Sequence, residues 1–297
     1  MRSRLNPRFD AFVRPARLRP QLWRLLLGGL FSILVYVGWV SGVITGLWWL
    51  TGTGDIRSWA TPILTGRTPT GALILLFTFL GMALGPMLAA RLLHKRPAHS
   101  LFGRGAVVIR DFVLAASVVG LLYLITSIIW AWRFDAVPNV TPALWLKLLP
   151  VALIGLLIQT GAEELLFRGY LQQQLAARFR SPLIWMFLPA LLFGAAHYDP
   201  QTAGGNVWLM MAAAALFGLL AADLTAQTGS IGAAWGFHFA NNFAALMILS
   251  LQGTLSGLAL FTTPYGPDDI SVLPALVLVD LAILALTWGL VRRLVRR

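Results

Sequence analysis

The chain has no cysteine among its 297 residues, so disulfides, thiolate zinc sites and cysteine nucleophiles are all excluded. Charge is also scarce, at 11% of residues, against about 25% in ordinary soluble domains. Acids are scarcer still: 11 Asp and Glu stand against 23 Lys and Arg, with four His. There is no His-Glu-x-x-His and no Gly-x-Ser-Gly, which argues against a zincin and a rhomboid-like serine protease. No internal symmetry is visible, as the repeated halves of a transporter would require. What fills the chain is apolar: 58% hydrophobic residues and a mean hydropathy of +0.76. Most of it lies in runs near bilayer length, so one polytopic, all-α transmembrane bundle of about eight helices is expected.

The expected spans are 22–50, 71–93, 106–132, 143–171, 182–197, 206–226, 232–251 and 271–291. Segment 182–197 is short, and 182–226 has the alternative of a re-entrant hairpin. Residues 1–20 read as a basic arm, with Pro7, Pro15 and Pro20 against helix. Residues 21–297 form a single transmembrane domain. The small residues of 206–226 (Ala212 to Ala215, Gly218, Ala221, Ala222) place that helix in the middle of the bundle.

The net charge of +12 is concentrated at the flanks. Seven arginines precede residue 25, Arg292, Arg293, Arg296 and Arg297 close the chain, and Arg91, Lys95, Arg96, Arg104 and Arg110 lie between apolar runs. By the positive-inside rule both termini and the loop 94–105 face the cytoplasm, and 51–70 and 133–142 face out. The partners implied are anionic headgroups, not nucleic acid, because no aromatic stacking platforms alternate with the arginines. His94 and His99 belong to this basic loop and are expected to be solvated.

Against that background two adjacent acids, Glu163 and Glu164, interrupt the fourth span, and His197 and His238 interrupt later ones. Carboxylates in hydrocarbon cost several kcal/mol and persist where they face a polar cavity. Glu164 and Arg168 are four apart, on one helix face, and are expected to pair. Glu163 is rotated about 100° away and has no obvious partner on its own helix, which suits a general base. Glu163 lies about 17 residues before the turn at Arg180–Ser181 and His197 about 16 after it, so both sit roughly 25 Å from that turn. The polar run Gln172-Gln173-Gln174 is expected to project beyond the hydrocarbon. His238 and Asn242, again four apart, share a face. Asp223 and Asp280 read as helix caps or bonds between helices. Gly52-Thr53-Gly54-Asp55 and Tyr198-Asp199 match presenilin-type signatures in reversed order and read as coincidence.

The ordered set Glu163-Glu164-x-x-x-Arg168, Phe193-x-x-x-His197 and His238-x-x-x-Asn242 resembles the CPBP family of intramembrane proteases, the type II CAAX prenyl proteases (Rce1-like) and Abi-type proteins. The resemblance covers about residues 100–250. It implies an eight-helix bundle with a cavity open to the cytosol, in the inner membrane of a bacterium. It also implies hydrolysis of a peptide bond in a membrane-associated peptide or protein. Glu163 and His197 would then activate water, His238 and Asn242 would stabilise the oxyanion, and Glu164 with Arg168 would hold the site. Zinc is the alternative, with Glu163, His197 and His238 as ligands; Asn242 suits an oxyanion donor better than a metal ligand. A transporter using Glu and His as a relay, or an inactive immunity or scaffold protein, are the competing classes.

Overall fold

The computed structural model describes residues 6–52, 55–131 and 135–296. Residues 1–5 of the arm, Thr53 and Gly54 of the Gly-x-Gly-Asp stretch, 132–134 at the end of the third span, and Arg297 lie outside the described residues. The chain folds into a polytopic helix bundle. Among the described residues six helical segments are long and apolar enough to cross a membrane. They include α2 (Leu22–Thr51), α4 (Pro69–Leu92), α5 (Gly105–Ala131) and α12 (Leu273–Val295). The fourth runs without interruption over Pro142–Arg178: α6 (Pro142–Glu164), a π-helical stretch (Leu165–Gln172) and α7 (Gln173–Arg178). Helix α10 (Val207–Thr228), entered through the single turn α9 (Pro200–Ala203), completes the six. Two of the expected spans are shorter: Leu183–Ala195, ending in α8 (Leu188–Ala195), and α11 (Gly232–Phe243) with its π-helical extension Ala244–Ile248.

Short elements outside these segments depart from expectation. The prolines do not break the arm: α1 (Pro7–Val13) is helical, with Pro7 in the first turn and the Asn6 side chain accepting from Arg8 N–H. Proline is tolerated there because its missing N–H would be unpaired anyway. The arm also packs inward, with Phe9, Phe12 and Val13 buried and the Phe9 ring 5.0 Å from that of Trp185. Between α2 and α4 lies α3 (Arg57–Thr65). A small sheet pairs β1 (Val137–Pro138) antiparallel with β3 (Phe261–Thr262), and β3 parallel with β2 (Leu249–Ser250). Its register sets Val137 opposite Thr262 and Leu249 opposite Phe261.

Two close approaches position the site. A Cβ on Gly232 would lie 2.4 Å from the Val108 carbonyl oxygen, and one on Gly236 2.2 Å from that of Phe112. Glycines one turn apart thus let α11 press its backbone onto α5. A Cβ on Gly194 would likewise meet Met211 O at 2.6 Å and Ala215 Cβ at 2.8 Å, which seats α8 on α10. The C-terminal half of α10 lies within the core, with Ala221, Ala222 and Leu224 at 0–1% exposure, whereas Ala212 is exposed and Ala213 to Ala215 are only half-buried.

Described residues near both chain ends and the segment after α4 gather at one end of the bundle. Arg8 Nη1 donates to Val295 O (3.0 Å) and Arg24 Nη1 to Leu93 O (2.5 Å). Arg96 donates to Gln173 Oε1, and Gln173 Nε2 donates to Phe12 O (2.6 Å). Gln172 Nε2 donates to Ala222 O (3.0 Å). The three glutamines are buried within protein, with Gln172 and Gln173 bonded to other segments of the chain. His94, expected in solvent, is also buried at 1% exposure, with Nδ1 on Arg19 O (3.0 Å) and Nε2 on Tyr170 Oη (2.8 Å).

Candidate active site

The two glutamates close α6 at the point where the helix passes into its π-helical stretch. Such one-residue expansions rotate the following side chains and recur at functional sites. Glu164 and Arg168 pair as their spacing predicts, Nη1 to Oε1 at 3.1 Å, with both side chains essentially unexposed. Arg168 Nη2 donates to Gly218 O (3.1 Å), and its guanidinium sits 4.9 Å from the Phe193 ring centre. Three kinds of contact therefore hold this buried cation.

Glu163 is buried too, at 8% exposure, but it is not without partners. Gln159, one turn earlier, donates Nε2–H to Glu163 Oε1 (2.7 Å). Gln159 Oε1 in turn accepts from Asn242 Nδ2 (2.9 Å). The sequence carried this signal in the same i, i+4 spacing that paired Glu164 with Arg168, and Gln159 is a site residue that sequence reasoning missed. The other oxygen, Glu163 Oε2, is buried with no hydrogen-bond partner among the described residues.

His238 is brought between the two acids. Its Nδ1 lies 2.8 Å from Glu164 Oε1 and its Nε2 3.6 Å from Glu163 Oε2. The imidazole is wedged against aromatic rings, its centre 4.8 Å from Phe217 and 6.1 Å from Phe193.

His197 is placed differently. It lies just past α8, exposed, with Nδ1 2.8 Å from Phe193 O. A carbonyl at Nδ1 makes that nitrogen the N–H donor and leaves Nε2 as the basic nitrogen. Phe193 links it to the rest: its ring centre is 4.7 Å from His197 and 5.0 Å from Phe167. The histidine that reaches Glu163 is thus His238, not the His197 paired with it in the antiparallel depth argument. The way α11 docks on α6 decides this, and no local spacing records it.

Among the described residues no group of three or more His, Cys, Asp or Glu side chains is placed to hold a metal ion, Glu163, His197 and His238 included. These residues do not fit zinc as they stand.

Residues 143–244, about a third of the chain, match the family model of Rce1-like type II CAAX prenyl endopeptidases. That stretch holds Glu163, Glu164, Arg168, His197, His238 and Asn242. An uncharacterized protein of Bacillus subtilis (strain 168), YyaK, is 29% identical over 274 residues, covering 86% of this chain and 88% of its own. No solved structure matches the chain.

Proposed function

We propose that this Rce1-like integral membrane protein is an intramembrane endopeptidase that hydrolyses a peptide bond with Glu163 as general base. The observation that carries the reading is Glu163 itself. One of its oxygens is fixed by Gln159, and the other is left without a hydrogen-bond partner, buried, 3.6 Å from a histidine nitrogen. Glu164 Oε2 is likewise buried without a hydrogen-bond partner, so the two acids differ in access and in what holds the other oxygen: the Glu163 side chain is 10% exposed against 0% for Glu164, and its Oε1 has only the neutral amide of Gln159. Glu164 meets the structural need separately, through Arg168 and His238.

The chemistry follows from this division. Glu163 Oε2 takes a proton from a water molecule, and the water oxygen bonds to the carbonyl carbon of the scissile peptide. The carbonyl oxygen becomes an oxyanion. His238 Nε2–H and the second amide proton of Asn242 Nδ2, the first being given to Gln159, are its donors. The proton held on Glu163 then passes to the leaving nitrogen as the C–N bond breaks. His197, exposed and packed against the Phe193 ring, is the second proton acceptor for water entering the site. No step requires a metal.

The end of the bundle that gathers both termini and the arginine-rich segment 91–110 is assigned to the cytoplasm of a bacterial inner membrane, where those arginines meet anionic headgroups. The substrate is a membrane-associated peptide or protein, and a prenylated CAAX peptide is the first probe. In proteoliposomes wild-type protein should cleave it, and Glu163→Gln should lower turnover by at least about 10²-fold while leaving the fold intact, as expected for loss of a general base. Turnover should survive phenanthroline. If Glu163→Gln turns over at the wild-type rate, the reading is wrong; if chelation stops turnover and zinc restores it, Glu163, His197 and His238 are ligands after all.

A further inference from the structure

Asp280 lies within the apolar helix α12, on its exposed face, where a membrane makes an acid expensive. The described structure gives it one hydrogen-bond partner, Tyr123 on α5, with Oη 2.9 Å from Asp280 Oδ1. Tyr123 Oη is also 2.7 Å from Asn241 Oδ1. Asn241 Nδ2 donates to Asn242 Oδ1 (3.3 Å), Asn242 Nδ2 to Gln159 Oε1 (2.9 Å), and Gln159 Nε2 to Glu163 Oε1 (2.7 Å). Side chains from four helices thus form one unbroken chain from the flank of α12 to the proposed base.

The chain has a direction. Each amide presents N–H₂ on one side and a carbonyl on the other, so its sense at one end fixes its sense at the other. All three amides here donate towards Glu163. Tyr123 faces two oxygens and has a single proton. For Asn241 to accept it, Asp280 must be the donor to Tyr123 Oη, which a carboxylic acid can be and a carboxylate cannot. If Asp280 were ionised, Tyr123 would donate to it, all three amides would turn over, and Gln159 would present its carbonyl to Glu163. The base would then lose the N–H that holds it.

We infer that Asp280, protonated, is a distal positioning residue, which through Tyr123, Asn241, Asn242 and Gln159 keeps the amide chain donating to Glu163. The inference rests on the reading of Glu163 as the base.

Two measurements test it. Infrared spectra of the protein in lipid should contain a protonated-carboxyl stretching band that disappears in Asp280→Asn and in Asp280→Leu; its persistence in both would overturn the inference without any activity assay. In the cleavage assay Asp280→Leu removes the donor while placing an apolar side chain in the span. It should melt no lower than wild type yet lose about tenfold in kcat, the weight of one hydrogen bond to a charged group, with KM within about twofold. Asp280→Asn, whose amide can still donate to Tyr123, should restore kcat. Tyr123→Phe should be as slow as Asp280→Leu, and combining the two should cost nothing more. Wild-type kcat in Asp280→Leu, or equal loss in Leu and Asn variants, would overturn the inference. Glu163→Gln run alongside separates the readings: inactive Glu163→Gln with fully active Asp280→Leu removes only this proposal, and active Glu163→Gln removes both.

Discussion

At the scale of single residues, Glu163 and Glu164 are chemically identical neighbours whose surroundings assign them different work. Both keep Oε2 without a hydrogen-bond partner, but Glu164 Oε1 is locked by Arg168 and His238, whereas Glu163 Oε1 is held only by the Gln159 amide and its side chain is the more exposed of the two. Removing the lock has a calculable consequence. Arg168→Ala strands Glu164 beside a single histidine and also deletes the bond to Gly218 O and the packing on Phe193. Breaking a buried pair by removing one partner costs about 3–5 kcal/mol, because the remaining charge is uncompensated. The variant should melt well below wild type, and activity should fall with the folded fraction. Replacing both partners by glutamine leaves no stranded charge, so Glu164→Gln with Arg168→Gln should recover part of the loss in a thermal melt. A double variant no more stable than Arg168→Ala would show that the 3.1 Å contact is not what holds Arg168 in place.

At the scale of elements, the proposed catalysis depends on how closely α11 approaches α5. Gly236 precedes His238 by two residues, and a Cβ there would lie 2.2 Å from Phe112 O, a backbone atom that cannot swing aside. Gly236→Ala must push the helices apart and carry His238 away from the glutamates. Turnover should fall by at least about tenfold, since misplacement by an ångström can cost about a hundredfold. Gly289→Ala on α12, where a Cβ would meet nothing within 4 Å, should leave both turnover and melting temperature near wild type. Equal activity in the two alanine variants would mean that the close approach is not needed. The contrast also shows what could be read in advance. Glu164 with Arg168, and His238 with Asn242 on one face, were legible because helix spacing is a local property. The long spans were legible because bilayer thickness sets their length. The union of His238 with both glutamates was not, since it depends on the docking of helices about 70 residues apart in sequence. The π-helical stretch after Glu164 and the three two-residue strands were equally hidden, because each is imposed by neighbours and not by the residues that form it. Gln159 is the exception: the spacing that would have found it was present and went unused.

At the scale of the whole molecule, the end of the bundle that gathers the termini is tied together by His94. The imidazole links the backbone of the N-terminal arm, at Arg19 O, to Tyr170 on the helix that carries the glutamates. Tyr170 fits only because residue 28 is glycine: a Cβ there would lie 1.8 Å from its hydroxyl oxygen. Burial pushes the His94 pKa down to about 4, the Arg19 carbonyl opposes this, and the nearby Arg96, Arg24 and Arg19 charges lower it further. The unfolded chain takes up this proton near the ordinary imidazole value of about 6.5. Between those values the unfolded state binds more protons than the folded one, so stability falls as pH falls. Above pH 6.5 both states hold a neutral His94 and the effect vanishes; below about 4 both are protonated and the loss stops growing. The melting temperature of the protein in detergent should therefore drop from pH 6.5 towards pH 4, on top of whatever the carboxylates contribute at the acid end. His94→Gln keeps a donor for the Arg19 carbonyl but cannot titrate, so it should melt lower than wild type at neutral pH and show a shallower decline on acidification. A variant whose melting temperature falls as steeply as that of the wild type would mean that the arm is held by its apolar contacts, Phe9 on Trp185 foremost, and that the His94 bridge is a passenger on that packing.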